Sequence, residues 1–297
     1  MASYNRFIFF SDCHITTSAP VRTGDPLQDC LDKVRYVIEK ANALDAQILI
    51  GGDIFDRPTI PYEAYTKVCK VFQKAKRVPI AVKGNHDQLF RSDDNDRKTT
   101  LNNAFSLGIL QELNGTFMME DQSCILTSDP KDLGHGLPQI LMYHGFLNTK
   151  DGKLTVYADD LSRATAPTLV LLGHDHVEYD PVQIGSCTVF RIGSLFRDQR
   201  VVTSNRTPKM LYIEVENGQF RTELLEVPAR SVTDIFRETS GKVTTEVSSD
   251  YDTLISEFKN ISEEDNDLMS LVSRVADGPV YQYIENLLNS HRINSVK

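Results

Sequence analysis

Five apolar, strand-like runs in this chain each end directly in a short block of Asp, Asn, His and Gly residues. The blocks are Asp12-Cys13-His14, Gly51-Gly52-Asp53, Gly84-Asn85-His86-Asp87, Tyr143-His144-Gly145 and Gly173-His174-Asp175-His176. Segments with apolar residues at helical spacing lie between the early runs, for example Leu31, Val34 and Ile38. Strands that alternate with helices favour a layered α/β fold. Because ligands of such sheets gather at the carboxyl ends of strands, we expect the five blocks to meet in one crevice.

Further apolar runs continue this alternation along the first 230 residues. The predicted strands lie at 7–10, 47–50, 79–82, 139–142, 168–172 and 187–192, and a helix is predicted over 62–77. Two more runs, 210–215 and 220–227, flank Asn217-Gly218, a dipeptide typical of a hairpin turn. Pro228 and a polar stretch follow, so a domain boundary is predicted at residue 230. Residues 231–297 carry apolar stripes at helical spacing, and this mostly helical region is expected to cap the site or bind a partner.

The composition is that of a globular protein with a sizeable core. Of the 297 residues, 40% are apolar and 25% are charged, which excludes a disordered or collagen-like chain. The 32 basic and 41 acidic residues give a net charge of −9, which excludes a generally basic nucleic-acid coat but not a local basic groove. Five widely spaced cysteines without a C-x-x-C pair predict reduced thiols in an intracellular protein.

The sequence shows no targeting or membrane signal. Nowhere do about 18 apolar residues run together, so no membrane span is predicted. The opening residues lack the long apolar segment of a secretory signal. We therefore expect a protein of the cytoplasm, or one associated with the nucleoid.

The polar blocks contain the side chains that hold metal ions. Carboxylates, an amide and imidazoles favour Mn, Fe or Zn over soft metals, and the cysteine in the first block, Cys13, points away from its neighbours on an extended segment. The seven candidate ligands are Asp12, His14, Asp53, Asn85, His144, His174 and His176. Seven ligands are too many for one tetrahedral ion but suit two divalent ions that share a bridging carboxylate. Such a centre remains cationic, which suits an anionic phosphoryl group.

In this order the five blocks resemble the signature of the calcineurin-like metallophosphoesterases, which is D-x-H, G-D, G-N-H-D/E, H and G-H-x-H. The resemblance implies a four-layer αββα fold, with a two-sheet β-sandwich core flanked by helices. It implies one metal ion held by Asp12, His14, Asp53 and His176. A second ion would be held by Asp53, Asn85, His144 and His174, so that Asp53 bridges the two. His86 would be the catalytic imidazole that contacts the phosphate or protonates the leaving group.

Within this family the sequence is similar to the SbcD-type nuclease branch, with its archaeal, eukaryotic and phage counterparts. The run Gly52-Asp53-Ile54-Phe55-Asp56-Arg57-Pro58 resembles the second motif of that branch, and Gly193-Ser194 is a further match. This resemblance implies an Mn-dependent DNA nuclease, with 3′→5′ exonuclease and single-strand endonuclease activity; Mg, Fe or Zn are alternatives to Mn. It also implies a homodimer that works with an SbcC-type coiled-coil ATPase in DNA end processing and recombination. No G-x-x-x-x-G-K-[ST] motif occurs in this chain, so ATP hydrolysis would come from that partner.

Substrate contacts are predicted at three residues. Asp56, Ser194 and Arg197 are the candidates, although Asp56 could equally cap the turn that follows it. A basic set near them could follow a nucleic-acid backbone or form a solvated surface. It consists of Arg191, Arg197, Arg200, Arg206 and Lys209. The same alternatives apply to Lys67, Lys70 and Lys74, which share one face of the predicted helix.

Two other functions stay open on the sequence. The same metal centre could hydrolyse phosphoesters of a small molecule or a phosphoprotein, or the chain could be a non-catalytic scaffold of the same fold. The complete set of seven ligands argues against the scaffold, and no G-x-S-x-G motif supports a serine esterase. Activity on DNA compared with activity on nitrophenyl phosphates separates the first two functions.

Overall fold

A computed structural model of the chain describes residues 5–19, 22–89, 98–119, 124–134, 136–148, 154–197 and 206–236. These residues belong to the first of two units into which the chain divides, Met1–Glu238. The second unit, Thr239–Lys297, lies outside the described residues, together with most of the predicted helical C-terminal region. The domain boundary at residue 230 therefore stays a prediction.

The described part of the chain contains both helices and strands. The α-helices are α1 (Pro26–Leu44), α2 (Tyr62–Phe72), α3 (Thr100–Ser106), α4 (Ala158–Leu161) and α5 (Val232–Ile235). The first seven strands are β1 (Arg6–Phe10), β2 (Gln47–Ile50), β3 (Ile80–Ala81), β4 (Gln111–Glu112), β5 (Thr116–Met118), β6 (Ile125–Thr127) and β7 (Gln139–His144). The others are β8 (Phe146–Leu147), β9 (Thr155–Val156), β10 (Thr168–Gly173), β11 (Glu178–Ile184), β12 (Cys187–Ile192), β13 (Lys209–Glu216) and β14 (Gln219–Glu226).

Two mixed sheets of six strands each form the centre of the fold. The first sheet has the order β14-β13-β1-β2-β3-β4, and the second has the order β11-β12-β10-β7-β6-β5. In the first sheet β1 to β4 are parallel neighbours, and in the second β6, β7, β10 and β12 are parallel. Strands β8 and β9 form a separate parallel pair. Parallel strands bring their carboxyl ends to one edge of a sheet, and the polar blocks follow those ends.

The two sheets pack face to face over a shared apolar core. Strand β1 shows how alternate side chains of a strand point to opposite faces of the sheet. Phe7 and Phe9 belong to the core between the sheets. The alternate residues Ile8 and Phe10 pack against α1 and α2 on the other face. On the outer face of the second sheet, Leu161 of α4 joins a third cluster with residues of β7, β10 and β12. The layers are helix, sheet, sheet and helix, so the predicted layered α/β fold is confirmed.

The observed elements differ from the predicted ones in several places. The structure contains elements that the sequence did not predict, among them α3 and the short strands β4, β5, β6, β8 and β9. The helix predicted over 62–77 ends at Phe72, where α2 gives way to turns. Strand β11 was not predicted, because Pro181 interrupts its pattern. The proline is tolerated because β11 is an edge strand whose register shifts between Tyr179 and Val182. Among the described helices, none combines the length and the apolar character needed to cross a membrane.

Candidate metal centre

The five polar blocks meet at one end of the sandwich. Strands β1, β2 and β3 of the first sheet lead into the blocks at 12–14, 51–53 and 84–87, while β7 and β10 of the second sheet lead into those at 143–145 and 173–176. Main-chain hydrogen bonds join neighbouring blocks, since Asp12 donates its N–H to the carbonyl of Gly52 at 3.1 Å. His14 likewise donates its N–H to the carbonyl of Asp53 at 3.0 Å.

One group of ligand atoms is formed by Asp12, His14 and His176. Their side-chain oxygen and nitrogen atoms lie within 4.8 Å of one another. The Nε2 atoms of His14 and His176 are 2.9 Å apart, and Asp12 Oδ1 is 3.8 Å from His176 Nε2. Asp12 and His14 are buried, whereas the His176 side chain is 34% exposed. The group therefore opens to solvent on the His176 side.

A second group is formed by Asp53, His144 and His174, again within 4.8 Å. Asp53 Oδ2 is 3.2 Å from His144 Nε2, and Asn85 Oδ1 is 3.0 Å from the same nitrogen. Asp53 Oδ2 is also 3.8 Å from Nε2 of His14 in the first group. The carboxylate of Asp53 thus lies between the two groups.

Hydrogen bonds from the surrounding main chain orient these side chains. The carboxylate of Asp12 accepts the N–H of His174 at 3.0 and 3.1 Å, and Asp53 Oδ1 accepts the N–H of His86 at 2.8 Å. His144 Nδ1 donates to the carbonyl of Gly51 at 2.8 Å, because a carbonyl can only accept. This bond leaves Nε2 directed toward Asn85 Oδ1 and Asp53 Oδ2, to which it donates in the absence of a cation. A metal-ligating histidine is held in the same way, because the loss of the Nε2 proton would free this nitrogen to bind an ion.

The backbone at the site adopts conformations that are rare for residues with side chains. The φ angles of Asp12, His14, Asp53 and His174 are 55°, 41°, 46° and 84°. Left-handed backbone costs an L-residue about 1–2 kcal/mol, and such strain collects at functional sites. Gly84 makes the tight packing possible, because a Cβ atom there would overlap the carboxylate of Asp53.

The charges of the site perturb its titratable groups. Burial alone would raise the pKa of Asp53, but the hydrogen bond and charge of His144 outweigh it and hold that pKa well below its ordinary value. Burial alone would lower the pKa of His144, but Asp53 outweighs burial and raises it to about 9. Burial and the neighbouring His144 lower the pKa of His174 to about 4. The centre therefore concentrates negative charge at Asp53.

This donor set fits a pair of divalent cations. Each group offers carboxylate and imidazole atoms, Asn85 adds an amide oxygen, and Asp53 lies near members of both groups. Imidazole with carboxylate suits Mn, Fe or Zn. The structure thus brings together the seven residues that the sequence singled out. Their assignment as ligands stays a prediction.

His86 lies at the edge of the first group. Its ring centroid is 4.8 Å from that of His14, and its Nδ1 is 2.9 Å from the carbonyl oxygen of Asp56. The Asp56 carboxylate approaches His14 instead, with Oδ1 3.7 Å from Nδ1. The hydrogen bond and charge of His14 lower the pKa of Asp56. Asp56 therefore contacts both imidazoles, His14 through its carboxylate and His86 through its main-chain carbonyl. The sequence did not predict this role.

The other two predicted substrate contacts are buried. Ser194 donates its hydroxyl to the carbonyl of Phe196 at 2.6 Å, and Arg197 donates to the carbonyl of Arg230. Their predicted contacts with substrate stay predictions. Of the basic set, Arg191 stacks on Tyr179 at 3.9 Å and Lys209 pairs with Glu178 at 2.6 Å. Arg200 lies outside the described residues.

Sequence reasoning missed three residues that support the site. Buried Asp87 accepts the N–H groups of Ile54, Phe55 and Gly84, which ties the second polar block to the third. Arg206 donates to the carbonyls of Ser194 and His176, and the Phe146 ring lies 4.4 Å from the His174 ring. Asp87 had a sequence signal in its place directly after His86, and Arg206 was singled out only as a member of the basic set.

Comparison with known proteins gives one family and several similar structures. A family model described as calcineurin-like phosphoesterase matches residues 5–189 of this chain. A search of curated proteins gives no match. One similar structure is a conserved uncharacterized protein of Streptococcus pneumoniae described as a predicted phosphoesterase, with 15% identity and a TM-score of 0.38 over 75% of this chain and 89% of that one.

Two further structures are similar over three quarters of the chain. The 5′-nucleotidase precursor of Thermus thermophilus has 10% identity and a TM-score of 0.42, covering 75% of this chain and 54% of that one. Vps29 of Entamoeba histolytica, solved with Zn²⁺, has 13% identity and a TM-score of 0.37, covering 74% of this chain and 98% of that one.

Proposed function

The chain belongs to the calcineurin-like phosphoesterase family, and we propose from this that it is a metal-dependent phosphodiesterase that cuts DNA. The observation that carries the proposal is the meeting of two ligand groups, with Asp53 of one group 3.8 Å from His14 of the other and one further imidazole, His86, at their edge. The motif at 52–58 supports DNA as the substrate, because it resembles that of the SbcD-type nucleases. Mn is the metal we propose.

Two divalent cations, when bound, would neutralise phosphate oxygens and activate a water molecule for attack on phosphorus. Asp53 would hold both cations, because its carboxylate approaches His144 and His14. His174 and His176, which are only partly buried, lie on the side that a phosphate group can reach. Asp12, His14, Asp53 and His144 are buried and form the floor of the site.

His86 is suited to donate a proton to the leaving oxygen. The carbonyl of Asp56 fixes its Nδ1 as a donor, so Nε2 is the atom that gains and loses a proton. His86 is half-buried and belongs to neither the Asp12–His14–His176 group nor the Asp53–His144–His174 group, although its ligand atoms also lie within 4.8 Å of those of His14 and Asp56. A protonated Nε2 would donate its proton to the sugar oxygen that leaves phosphorus. General acid catalysis of this kind raises the rate by about 10²–10⁴-fold.

The experiment that tests the proposal compares His86→Ala with the wild type on single-stranded, linear duplex and plasmid DNA in the presence of Mn. We expect both proteins to bind Mn in a metal analysis and only the wild type to cut. His174→Ala is the matched control, since it should lose metal binding as well as cutting. Equal cutting by His86→Ala would overturn the role of His86, and intact DNA with the wild type would overturn the nuclease.

A second candidate function is hydrolysis of a small phosphoester or a phosphoprotein. The contacts of the basic side chains favour this function. Arg191, Arg206 and Lys209 interact with groups of the protein itself and therefore offer little positive charge to a DNA backbone. Rapid hydrolysis of p-nitrophenyl phosphate by a protein that leaves DNA intact would establish this function. A chain that binds no metal and hydrolyses neither substrate would instead be a scaffold.

We also propose an SbcC-type coiled-coil ATPase as the partner of this chain. The proposal rests on the resemblance to the SbcD branch and on the lack of a P-loop motif here. Cleavage of duplex ends should then become dependent on ATP when the ATPase is added. A cleavage rate that the ATPase and ATP leave unchanged would contradict the partnership without affecting the metal centre.

A further inference from the structure

Strand β14 is an open edge of the first sheet. It pairs with β13 along its whole length, from Gln219 opposite Glu216 to Glu226 opposite Lys209. Among the described strands, none pairs with its other side, so its outward N–H and C=O groups face away from the sheet. It is eight residues long and contains no proline or glycine, whereas β11, one edge strand of the second sheet, contains Pro181. An edge of this kind is a template for another strand.

We propose that β14 pairs antiparallel with β14 of a second copy of this chain, about a two-fold axis at Thr222. The two six-stranded sheets would then continue into one another. A two-fold interface is isologous, so every contact occurs twice. This interface does not depend on the proposed hydrolase function, because β14 lies at the opposite margin of the sheet from β3 and β4 and contributes no residue to the candidate metal centre.

Charge complementarity selects this register. With Thr222 opposite its own copy, Arg221 lies opposite the partner subunit's Glu223, and Glu223 lies opposite the partner subunit's Arg221. Both side chains are exposed in the single chain. A shift by two residues in either direction would place Arg221 against Arg221, or Glu223 against Glu223, and like charges directly opposite one another are destabilising. A shift by one residue would exchange the two faces of the strand.

The row of charges already present in the sheet leads into this pair. Arg6 of β1 forms an ion pair with Glu214 of β13 at 2.8 Å, and Glu214 is the register partner of Arg221. Crossing to the second copy adds Glu223 at the end of the row. Positive and negative side chains therefore alternate across four neighbouring strands on the helix-side face of the sheet.

The opposite face of β14 supplies an apolar contact in the same register. Phe220 packs against the core between the sheets, while Leu224 is 38% exposed. Self-pairing about Thr222 brings Leu224 opposite the partner subunit's Phe220. The exposed leucine at this edge would then lie against an aromatic ring, a favourable cross-strand pair.

The most direct test is a cysteine at the proposed axis. Directly opposite residues in antiparallel strands have Cα atoms about 4.5 or 5.5 Å apart, and both distances suit a disulfide. In a Cys69→Ser background, where the remaining native cysteines are buried, Thr222→Cys should give a reducible covalent dimer under mild oxidation. Asp180→Cys on the exposed edge strand β11 is the matched control and should remain uncrosslinked. Equal crosslinking of the two variants, or none of Thr222→Cys, would overturn the proposal.

Charge exchange provides an independent test on the full chain by sedimentation equilibrium. Arg221→Glu and Glu223→Arg should each weaken the dimer by at least tenfold in Kd, because each creates two like-charge pairs. The double variant should regain most of the lost affinity, a rescue that a general loss of folding would not produce. A wild type that stays monomeric, or single variants that dimerise like the wild type, would show that this edge is not the interface.

Discussion

At the scale of single residues, the candidate metal centre depends on side chains that hold loops together as much as on the ligands. Asp87 is the main example. Its carboxylate accepts the N–H of Phe55 and of Gly84 at 3.0 Å and that of Ile54 at 3.3 Å. Burial and the nearby Asp53 raise its pKa to about 6. It fixes the spacing between two blocks that belong to different strands.

Replacing Asp87 with alanine should destabilise the protein by about 2–4 kcal/mol, because three buried N–H groups would lose their acceptor. Asp87→Asn, which keeps one acceptor oxygen, should lose less. The free energy of unfolding from urea denaturation with metal removed checks both values. A loss below about 1 kcal/mol for the alanine variant would show that water replaces the carboxylate without cost.

Asp56 should affect metal binding rather than the chemical step. Asp56→Ala removes the carboxylate beside His14 but keeps the main-chain carbonyl that holds His86. We expect metal affinity to fall about 10-fold, as for outer-shell partners of ligating histidines, with the rate at saturating metal nearly unchanged. Metal titration and steady-state kinetics separate the two effects, and Asp56→Asn should recover part of the affinity. A fall in kcat alone would assign Asp56 to the reaction itself.

The metal ligands illustrate what the sequence can and cannot predict. The side chains at 12, 53, 85, 144 and 174 could be found because each follows an apolar run, and parallel strands leave their carboxyl ends together. The left-handed backbone of Asp12 and His174 had no signal, because tertiary packing rather than residue type imposes it. Arg206 was found only as a basic residue, because no sequence pattern indicates its hydrogen bonds to Ser194 and His176.

At the scale of elements, the longer strands were predicted within a few residues, the edge strand β14 among them, whereas the edge strands β5 and β11 and several short strands were not. β7 and β10 contain continuous apolar runs, and β12 is mostly apolar. β5 and β11 are short or interrupted and mostly exposed, so no apolar pattern is required of them. The course of the connections that follow the strands was not predicted either. The segment after β12 turns at Gly193, and Phe196 then donates its N–H to the carbonyl of Asp12 at 3.2 Å.

Gly193 should control the position of His176. Its φ is 72°, and a Cβ there would lie 2.8 Å from both Arg206 Nη2 and the carbonyl oxygen of His176. Gly193→Ala should therefore displace these groups, weaken metal binding about 10-fold and destabilise the fold by about 2–3 kcal/mol. Calorimetric metal titration and chemical unfolding measure the two effects.

Gly185 offers a matched control for the same substitution. Its φ is 58°, but nothing lies within 4 Å of a Cβ at that position. Gly185→Ala should therefore show only the cost of left-handed backbone, about 1–2 kcal/mol, with unchanged metal affinity. If both variants bound metal like the wild type, the turn after β12 would have no influence on the centre.

At the scale of the whole molecule, segments far apart in sequence are joined by a buried cluster of charges. Asp29 of α1 is bonded to Arg22 and, at 2.6 Å, to Lys33, and both cations are buried. Arg22 also lies over the ring of Phe196, 4.2 Å from its centroid, and its main chain forms a β-bridge with Phe236. One carboxylate therefore holds the side chain through which three segments meet. These are the residues before α1, the turn after β12 and the residues after β14.

The pKa of Asp29 determines how this cluster responds to acid. Burial alone would raise that pKa, but Lys33 and Arg22 outweigh it and lower the pKa below 3.8. A carboxyl group whose pKa is lowered by folding stabilises the protein above its ordinary pKa, and this stabilisation is lost as the pH falls through the folded value. Asp29→Asn should therefore cost about 3–5 kcal/mol at pH 7, because two buried cations lose their partner.

The difference in unfolding free energy between wild type and Asp29→Asn should stay constant from about pH 7 to pH 5 and shrink below about pH 4. Asp32→Asn is the matched control on the same helix, since Asp32 is 56% exposed and pairs with Arg35 at the surface. Its cost should stay below about 1 kcal/mol at every pH. Denaturant unfolding across this range measures both variants. If the two behaved alike, the contacts of Arg22 with Phe196 and Phe236 would hold the segments together without the carboxylate.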